Sequence, residues 1–488
     1  MTENVHPVTS ATPQGNDATP TSRRLTADPR LWRVIIAAAL VVFAIQLDFF
    51  GVQVALPDMA RDLGTSVTNL QWVVSGYMLA TGSVLIVGGR IGDILGRRTW
   101  LFLGIGVFGL ASLVGGLASS PDVVIGARLV QGVAAAFCFP LALAVVTNEF
   151  PPARVERAVG MVFAFAAVSQ AFGPIIGSGL TELFSWRAVL LINVPVAVLA
   201  ITLGWTSMHE SRDETVPRHI DWIGLLLIVA SIAVFTYAID QSTDWGWTSA
   251  ATLGLMAAGI VGLIVFVLVE QRGRYPLIDL SLFRTREFDL MTLAGTVGNV
   301  GTATVIFTSM ILLQTVEGLS VMEAGVAFLG FSFANAIASQ IAGRLESYPS
   351  WLVMSLAMLC GGVGTVAMGL VEGLAPFLVA ATFTGLGFGM SWAFTSVSTQ
   401  AVVPMQKAGE ASGVVLTVLV TMGGVAVAVA SSVIEGSGQA SSVLEDTMRT
   451  VLLAAGALAL VTSAIVAFLG RRASPPVAAA AADASGYR

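Results

Sequence analysis

The chain has 488 residues, of which 55% are apolar and only 11% carry a charged side chain. A soluble protein carries roughly a quarter charged residues, so these charges are too few to cover a surface in water. The composition excludes a soluble globular protein and predicts an all-α integral membrane protein. The formal net charge of −6 says little, because in such a protein the position of each charge matters more than the sum.

Between two polar tails, the chain contains fourteen apolar runs of spanning length. A helix needs ~20 residues to cross the hydrocarbon, and helices satisfy all backbone groups within one segment. The tails, 1–30 and 471–488, are poor in large apolar residues and are predicted to be disordered and cytoplasmic. The predicted spans are 34–56, 72–91, 99–118, 122–147, 158–181, 187–207, 221–240, 249–270, 289–313, 322–344, 350–371, 375–397, 409–433 and 450–470.

The order of the spans predicts two pseudo-symmetric six-helix bundles, at 31–207 and 289–470, with an inserted helix pair and its cytoplasmic loops at 208–288. A faint internal repeat supports this division. Gly-Arg-Ile at 89–91 closes span 2, and Gly-Arg-Leu at 343–345 closes span 10. Two related bundles around a central cavity are a common plan for secondary transporters.

The basic residues predict the orientation. With both termini in the cytoplasm, all but four of the 24 basic residues fall in cytoplasmic segments. The exceptions are Arg61, Arg187 and Arg449 in external loops and Arg128 inside a span. This asymmetry follows the positive-inside rule, so we expect a multi-pass protein of the cell (inner) membrane with cytoplasmic termini.

Side chains that would indicate another class of protein are sparse. Cys138 and Cys360 lie inside apolar runs, and the three histidines form no cluster, so no metal site is predicted. The single lysine, Lys407, is followed by Ala408, which excludes an ATP-hydrolysing phosphate loop. The sequence therefore predicts no cofactor, no nucleic-acid binding and no enzyme.

The loop after span 2 reads GRIGDILGRR at 89–98 and combines glycines with charges. Glycines allow helix ends to meet closely, and the carboxylate and arginines can form charge-assisted hydrogen bonds. The loop resembles the signature loop of the major facilitator superfamily at almost every position. The resemblance implies a part in conformational gating for Gly89, Arg90, Gly92, Asp93, Gly96, Arg97 and Arg98.

Further motifs resemble the fourteen-span drug:proton antiporter branch of that superfamily, over about 32–470. Span 1 carries LDFFGVQVALP at 47–57, although the antiporters usually have Thr where Phe50 stands and Asn where Gln53 stands. Other matches are Trp72 and Tyr77 in span 2 and the Arg-x-x-Gln-Gly pattern formed by Arg128, Gln131 and Gly132 in span 4.

Span 5 has glycines and a proline at the spacing of the antiporter motif, at Gly160, Gly173, Pro174 and Gly177. Ser169 and Ser178 replace two glycines of that motif. The proline bends the helix, and the glycines allow a neighbouring helix to approach. The resemblance implies that span 5 contacts span 10, seals the cytoplasmic side and takes part in gating.

Asp48 and Arg128 are the ionisable residues placed clearly inside spans, where such groups are costly and often functional. Asp48 is roughly 15 Å from the external end of its span and Arg128 roughly 9 Å from that of its own, so the two can meet. Burial favours the neutral form of a carboxyl group, and a guanidinium favours the charged form. We predict that the pair couples transport to protons. The alternative is a permanent ion pair that only orients two helices.

Aromatic residues near Asp48 could offer a surface to a lipophilic cation, although aromatics facing lipid or core are also common. The predicted substrate cavity comprises Phe49, Phe50, Gln53, Trp72, Tyr77 and Gln131.

Together these features predict a monomeric secondary transporter in the lipid bilayer. It would export small amphipathic drug-like compounds in exchange for protons, by rocking of the two bundles. A dedicated exporter or a proton symporter of one metabolite is the main alternative. A membrane-embedded enzyme or sensor is a more remote one.

Overall fold

The computed structural model describes residues 29–473, except 68, 213–220, 274–275, 277, 279, 346, 404–407 and 438–440. The predicted tails therefore lie almost entirely outside the described residues. All regular elements in the described part are helical. The α-helices are α1 Pro29–Asp62, α2 Gln71–Leu95, α3 Arg97–Gly116, α4 Pro121–Glu149, α5 Pro152–Leu183, α6 Trp186–Leu191, α7 Asn193–Ser207, α8 Trp222–Asp240, α9 Ser242–Trp245, α10 Ala250–Arg272, α11 Arg286–Thr315, α12 Val321–Ala327, α13 Leu329–Ile341, α14 Ser350–Leu370, α15 Leu374–Ala401, α16 Ala408–Gly436 and α17 Ser441–Ala473.

Each predicted span coincides with one of these helices or with a broken pair. Within the described residues, twelve spans are long and apolar enough to cross a membrane, with α6 and α7 together forming one of them. The pair α12 and α13, bent by 40°, makes a thirteenth. The run at 158–181 falls on α5, which has 32 residues. The all-helical membrane fold is confirmed, and the exact count of fourteen stays a prediction.

The helix ends follow local sequence rules. Proline begins α4 at Pro121, where its missing N–H costs no hydrogen bond. A capping box begins α12, since the Ser320 hydroxyl accepts from Glu323 N at 3.2 Å and the Glu323 carboxylate accepts from Ser320 N at 2.8 Å. The connection between α2 and α3 is the single residue Gly96, whose φ of +134° favours glycine.

The helices pack into two bundles with the same internal plan. In the first bundle, α1 packs on α5, α2 on α4 and α3 on α7. In the second bundle, α11 packs on α16, α13 on α15 and α14 on α17, so each pair has a counterpart. This arrangement confirms the expected pseudo-symmetry, whereas the residue boundaries of the parts stay predictions.

The two bundles meet mainly along two lines of helix contact. Along the first, α2 meets α16, and Gly82 lies so close to the backbone of Thr421 that an added Cβ would be 2.7 Å from its nitrogen. Along the second, α5 meets α12 and α13. The inserted helices α8 and α10 pack on each other, and α8 also contacts α2 and α16. The space between the bundles is therefore bounded by helices from both.

Candidate coupling site and substrate cavity

A buried ion pair lies inside the first bundle, where α1 and α4 come together. Asp48, in the middle of α1, accepts a hydrogen bond from the Arg128 guanidinium of α4. The side chains are 0% and 1% exposed respectively. The predicted contact between these residues is thus present in the structure, whereas its role in proton coupling stays a prediction.

Neutral side chains complete the surroundings of this ion pair. The second carboxylate oxygen of Asp48 accepts from Asn193 Nδ2 at 2.8 Å and, more weakly, from Gln131 Nε2 at 3.4 Å. The Arg128 Nε donates to the Val73 carbonyl at 2.8 Å. Such bonds offset the cost of removing two charges from water. Both ions therefore have partners on several helices, α2, α4 and α7 among them.

Gln131 links the ion pair to α3. Its Nε2 donates to the Ser112 hydroxyl at 2.6 Å, while its Oε1 accepts from Arg128 Nη1 at 3.1 Å. The Ser112 hydroxyl in turn donates to the Phe108 carbonyl at 2.8 Å. We name the buried set Asp48, Ser112, Arg128, Gln131 and Asn193 the coupling network.

Tyr77 separates the coupling network from a cavity between the bundles. The Arg128 guanidinium carbon is 4.2 Å from the centre of the Tyr77 ring, within the range of a cation–π interaction. The Tyr77 ring also stacks on the Phe49 ring, at a centroid distance of 6.3 Å. Both Tyr77 and Phe49 line the cavity, so a molecule bound there would touch the layer that covers the ion pair.

The cavity has about 820 Å³ of atom-free space, part of it open to solvent. Its walls come from both bundles, and they extend along the halves of α2, α4 and α16 that the basic-residue pattern assigns to the cytoplasmic side. The lining residues are Ile45, Gln46, Phe49, Phe50, Tyr77, Met78, Thr81, Leu85, Ala135, Phe139, Asn299, Thr302, Asn335, Trp392, Leu416 and Val420.

Three of the six predicted cavity residues, Phe49, Phe50 and Tyr77, contribute to this lining, and three do not. Gln131 belongs to the coupling network instead, because it lies on the face of α4 that meets α3. Gln53 is buried and donates to the Phe49 carbonyl at 3.1 Å. Trp72 lies at the start of α2, away from the middle of the helix.

The loop at 89–98 packs within the first bundle and against the segment after α10. Gly92 lies against the Leu141 side chain, which would have to shift to make room for a Cβ. Asp93 and Arg97 form a salt bridge of 2.5 Å one helical turn apart. Arg90 donates to the Pro276 carbonyl at 3.1 Å, which connects the loop to the inserted region.

Other residues of the loop hold α3 in place. Arg98 donates to the Trp205 carbonyl at 3.0 Å and lies over the Trp205 ring. The Glu210 carboxylate accepts from the backbone nitrogens of Arg98 and Thr99, at the N-terminus of α3 where a negative charge is favourable. Gly96 lies against Glu210, and Gly89 contacts Pro140 of α4.

The glycines of α5 let two helices approach closely. A Cβ on Gly177 would lie 2.5 Å from the Gly51 Cα of α1, and one on Gly173 would lie 2.7 Å from Phe50 Cβ. On the other side, Gly325 of α12 lies against the Pro174 carbonyl, at 2.8 Å from a built Cβ. The contact predicted between span 5 and span 10 is therefore confirmed.

The side on which this contact lies differs from the expectation. It involves the Gly173–Leu183 end of α5 and the start of α12, which the basic-residue pattern places externally. Towards the cytoplasmic end, Gly160 has open space around it. With the orientation that the basic residues predict, the contact in this conformation lies at the external end of α5, and the cytoplasmic seal stays a prediction.

Several contacting residues carry no signal in the sequence pattern. Asn193 and Ser112 are uncharged, so their position inside a predicted span is not unusual and does not identify them as functional. Two others connect the bundles: the Glu182 carboxylate accepts from Met322 N at 2.9 Å, and Gln314 Nε2 donates to the Val54 carbonyl at 3.0 Å. Only a predicted pairing of the helices could have revealed them.

Comparison with known proteins agrees with this architecture. The Major Facilitator Superfamily profile matches residues 38–428. The multidrug resistance protein Stp of Mycobacterium tuberculosis strain CDC 1551 is 33% identical over 389 residues, covering 78% of this chain and 71% of Stp. The puromycin resistance protein pur8 of Streptomyces alboniger is 34% identical over 423 residues, covering 84% and 83%. The multidrug efflux pump LfrA of Mycolicibacterium smegmatis is 31% identical over 407 residues, covering 82% and 79%.

Solved structures show the same fold. An inward-facing, unoccupied bacterial homologue of the human lysosomal transporter Spinster has a TM-score of 0.68 at 15% identity, covering 92% of this chain and all of that one. A peptide transporter of the POT family in an auto-inhibited form has a TM-score of 0.66 at 16% identity, covering 92% and 98%. The helix plan, the profile match and the relatives agree, and the chain belongs to the major facilitator superfamily, grouping with its drug-resistance exporters.

Proposed function

We propose that this chain exports small amphipathic drug-like molecules in exchange for protons, by alternating access. The names of its relatives, which include multidrug and puromycin resistance proteins, support the export of such compounds. The observation that carries the proton coupling is the buried Asp48–Arg128 pair, one ring away from the cavity. An ionisable group at this depth is costly to maintain, which favours a functional role over a purely structural one.

Asp48 is the proposed proton carrier. When its carboxyl group is protonated, the attraction to Arg128 is lost, and the Arg128 guanidinium depends on the Val73 carbonyl, Gln131 and the Tyr77 ring. Because Tyr77 also lines the cavity, a shift of Arg128 changes the wall that a substrate contacts. Binding of substrate and binding of the proton are thereby linked through one aromatic layer, as reciprocal coupling requires.

The conformation described is inward-facing in this proposal. The seal is formed at the external ends by the small-residue contact of Gly325 with α5 and by the hydrogen bonds of Glu182 and Gln314. Opening outward separates these contacts and brings the cytoplasmic halves of α5 and α13 together. In that second state Gly160 would become a close contact, and the loop at 89–98 would hold the cytoplasmic ends of α2 and α3.

Membrane vesicles with the cytoplasmic face outward test the function. We expect addition of an exported compound to release protons from acid-loaded vesicles, and accumulation of the compound to stop when the proton gradient is dissipated. Transport should continue without ATP if the gradient is imposed artificially. Export that persists with ATP present and no ion gradient would refute the proposal.

The orientation is tested separately. We propose an inner-membrane monomer with both termini in the cytoplasm, on the basis of its basic-residue distribution. Reporter fusions after residue 98 should be cytoplasmic, and fusions near 244 and 445 should be external. A cytoplasmic signal near residue 244 would mean that the inserted pair crosses the membrane differently.

A further inference from the structure

The cavity wall carries no formal charge. Among the described residues, sixteen line the cavity, and none is Asp, Glu, Lys, Arg or His. The sequence pattern suggested an aromatic surface for a lipophilic cation, so the absence of a lining carboxylate is informative. A cation in this cavity would have to rely on ring faces and neutral dipoles.

The two sides of the cavity differ in chemistry. The first bundle contributes the rings of Phe49, Phe50, Tyr77 and Phe139, together with the carboxamide of Gln46 and the hydroxyl of Thr81. The second bundle contributes the carboxamides of Asn299 and Asn335, the hydroxyl of Thr302 and the indole of Trp392. A molecule that fills the space between the bundles therefore meets a wall with more rings on the first side and hydrogen-bonding groups on both sides.

The carboxamide of Asn299 is held at the wall. Its Nδ2 donates to the Leu419 carbonyl at 2.6 Å, a bond that uses one of its two amide hydrogens. A carboxamide also has an acceptor oxygen with two lone pairs, so it can bond to a ligand's hydroxyl, amide or carbonyl. Asn335, on α13, is 1% exposed and lines the same space.

The nearest charges cannot serve as a counterion for a ligand. Asp48 is 0% exposed, and its two oxygens accept from Arg128, Asn193 and Gln131. When Asp48 is ionised, its charge is balanced by Arg128, and the Tyr77 ring lies between Arg128 and the cavity. A cation at this depth without a countercharge is costly, and ring faces offset only part of that cost.

From these observations we infer that the cavity takes uncharged molecules with an aromatic face and a hydrogen-bonding edge, and that it discriminates against permanent cations. The inference rests on the proposed function and specifies its substrate class. In such an exchange an uncharged molecule leaves while a proton enters, so each cycle carries net charge and should respond to the membrane potential.

A matched pair of dyes tests the inference. Nile red is neutral and has a ring carbonyl, whereas Nile blue has the same ring system and is a monocation at neutral pH. Initial rates of proton-driven transport would be measured in proteoliposomes of the full chain, corrected for the amount of inserted protein. We expect the initial export rate of Nile red to be at least about tenfold higher than that of Nile blue.

A carboxylate placed in the wall should change this preference. Asn335→Asp keeps the size of the side chain and adds a charge, and at pH 8 on the cavity side we expect the ratio of the two rates to shift towards Nile blue by about tenfold. Gln340→Glu is the matched control, because it adds the same charge on α13 at an exposed position outside the lining. The control should keep the wild-type ratio.

The outcomes separate this inference from the proposed function. If wild-type protein exports Nile blue as fast as Nile red in a proton-dependent way, the inference is overturned while export stands. An unchanged ratio in Asn335→Asp, with normal protein abundance, also overturns it. If neither dye nor any compound of a drug panel is moved by the proton gradient, the proposed function itself fails.

Discussion

The two bundles share one helix plan and bury different kinds of polar side chain. In the first, Asp48 and Arg128 form an ion pair inside the helices, with neutral partners around it. In the second, among the described residues of α11–α17, the buried polar side chains are amides and hydroxyls such as Asn299, Asn335 and Thr395, and none is charged. The pseudo-symmetry therefore applies to the backbone and not to the chemistry.

This difference assigns separate tasks to the two halves. One titratable group is enough to carry one proton in each transport cycle. A second buried charge without a partner would carry a high desolvation cost. Neutral amides and hydroxyls can bind many ligands without fixing a charge. In the proposed function, the first half would therefore supply the proton site and most rings of the cavity wall, and the second half would supply further hydrogen-bonding groups.

The largest effect is expected where the first bundle loses its titratable group. Asp48→Asn keeps size and polarity but removes the proton site, so gradient-driven export should fall by at least about a hundredfold with normal insertion. Asp58→Asn, at a partly exposed acid of the same helix, is the control and should retain export. Transport is measured in vesicles and normalised to inserted protein. Proton-coupled export by Asp48→Asn at the wild-type rate would show that the ion pair only orients the helices.

The next-largest effect is expected at the contact between α5 and α12, which joins the two bundles. Gly325→Val adds a Cβ against the Pro174 carbonyl and the Ser178 hydroxyl, so α5 and α12 can no longer meet and the external side should open. We expect export to fall about tenfold or more. In a cysteine-free background, labelling of Thr181→Cys by an impermeant maleimide should rise.

Gly126→Val is the control for this change, because no atom lies within 4 Å of a Cβ built there. Export and labelling should both stay at wild-type values in the control. If Gly325→Val leaves maleimide labelling unchanged, α5 and α12 do not form the external seal.

A smaller effect should follow when one neutral partner of the ion pair is removed. Asn193→Leu deletes the 2.8 Å hydrogen bond to the Asp48 carboxylate, and bonds to charged groups contribute about 1.5–3 kcal/mol. We expect export to fall about tenfold, because the Asp48 carboxylate loses a partner that orients it against Arg128. Export at the wild-type rate would reduce Asn193 to a packing residue.

The sequence predicts the fold and the ion pair better than the surroundings of either. Long apolar runs and the basic-residue pattern define the spans, and matching depths bring Asp48 and Arg128 together. The helix face of Gln131 was not predictable, because either side of α4 could meet the cavity. Asn193 is uncharged and lies at the start of α7, just after the break that divides span 6 into α6 and α7. The side of the seal formed by α5 depends on the conformational state, which a motif does not encode.

Proton release from the purified protein tests the central claim most directly. In weakly buffered detergent solution, with a pH-sensitive dye and saturating Nile red, the wild-type protein should release protons on binding substrate, up to one per chain. Asp48→Asn should bind Nile red and release none. Equal proton release by wild-type protein and Asp48→Asn would contradict the assignment of Asp48 as the site where proton and substrate exchange.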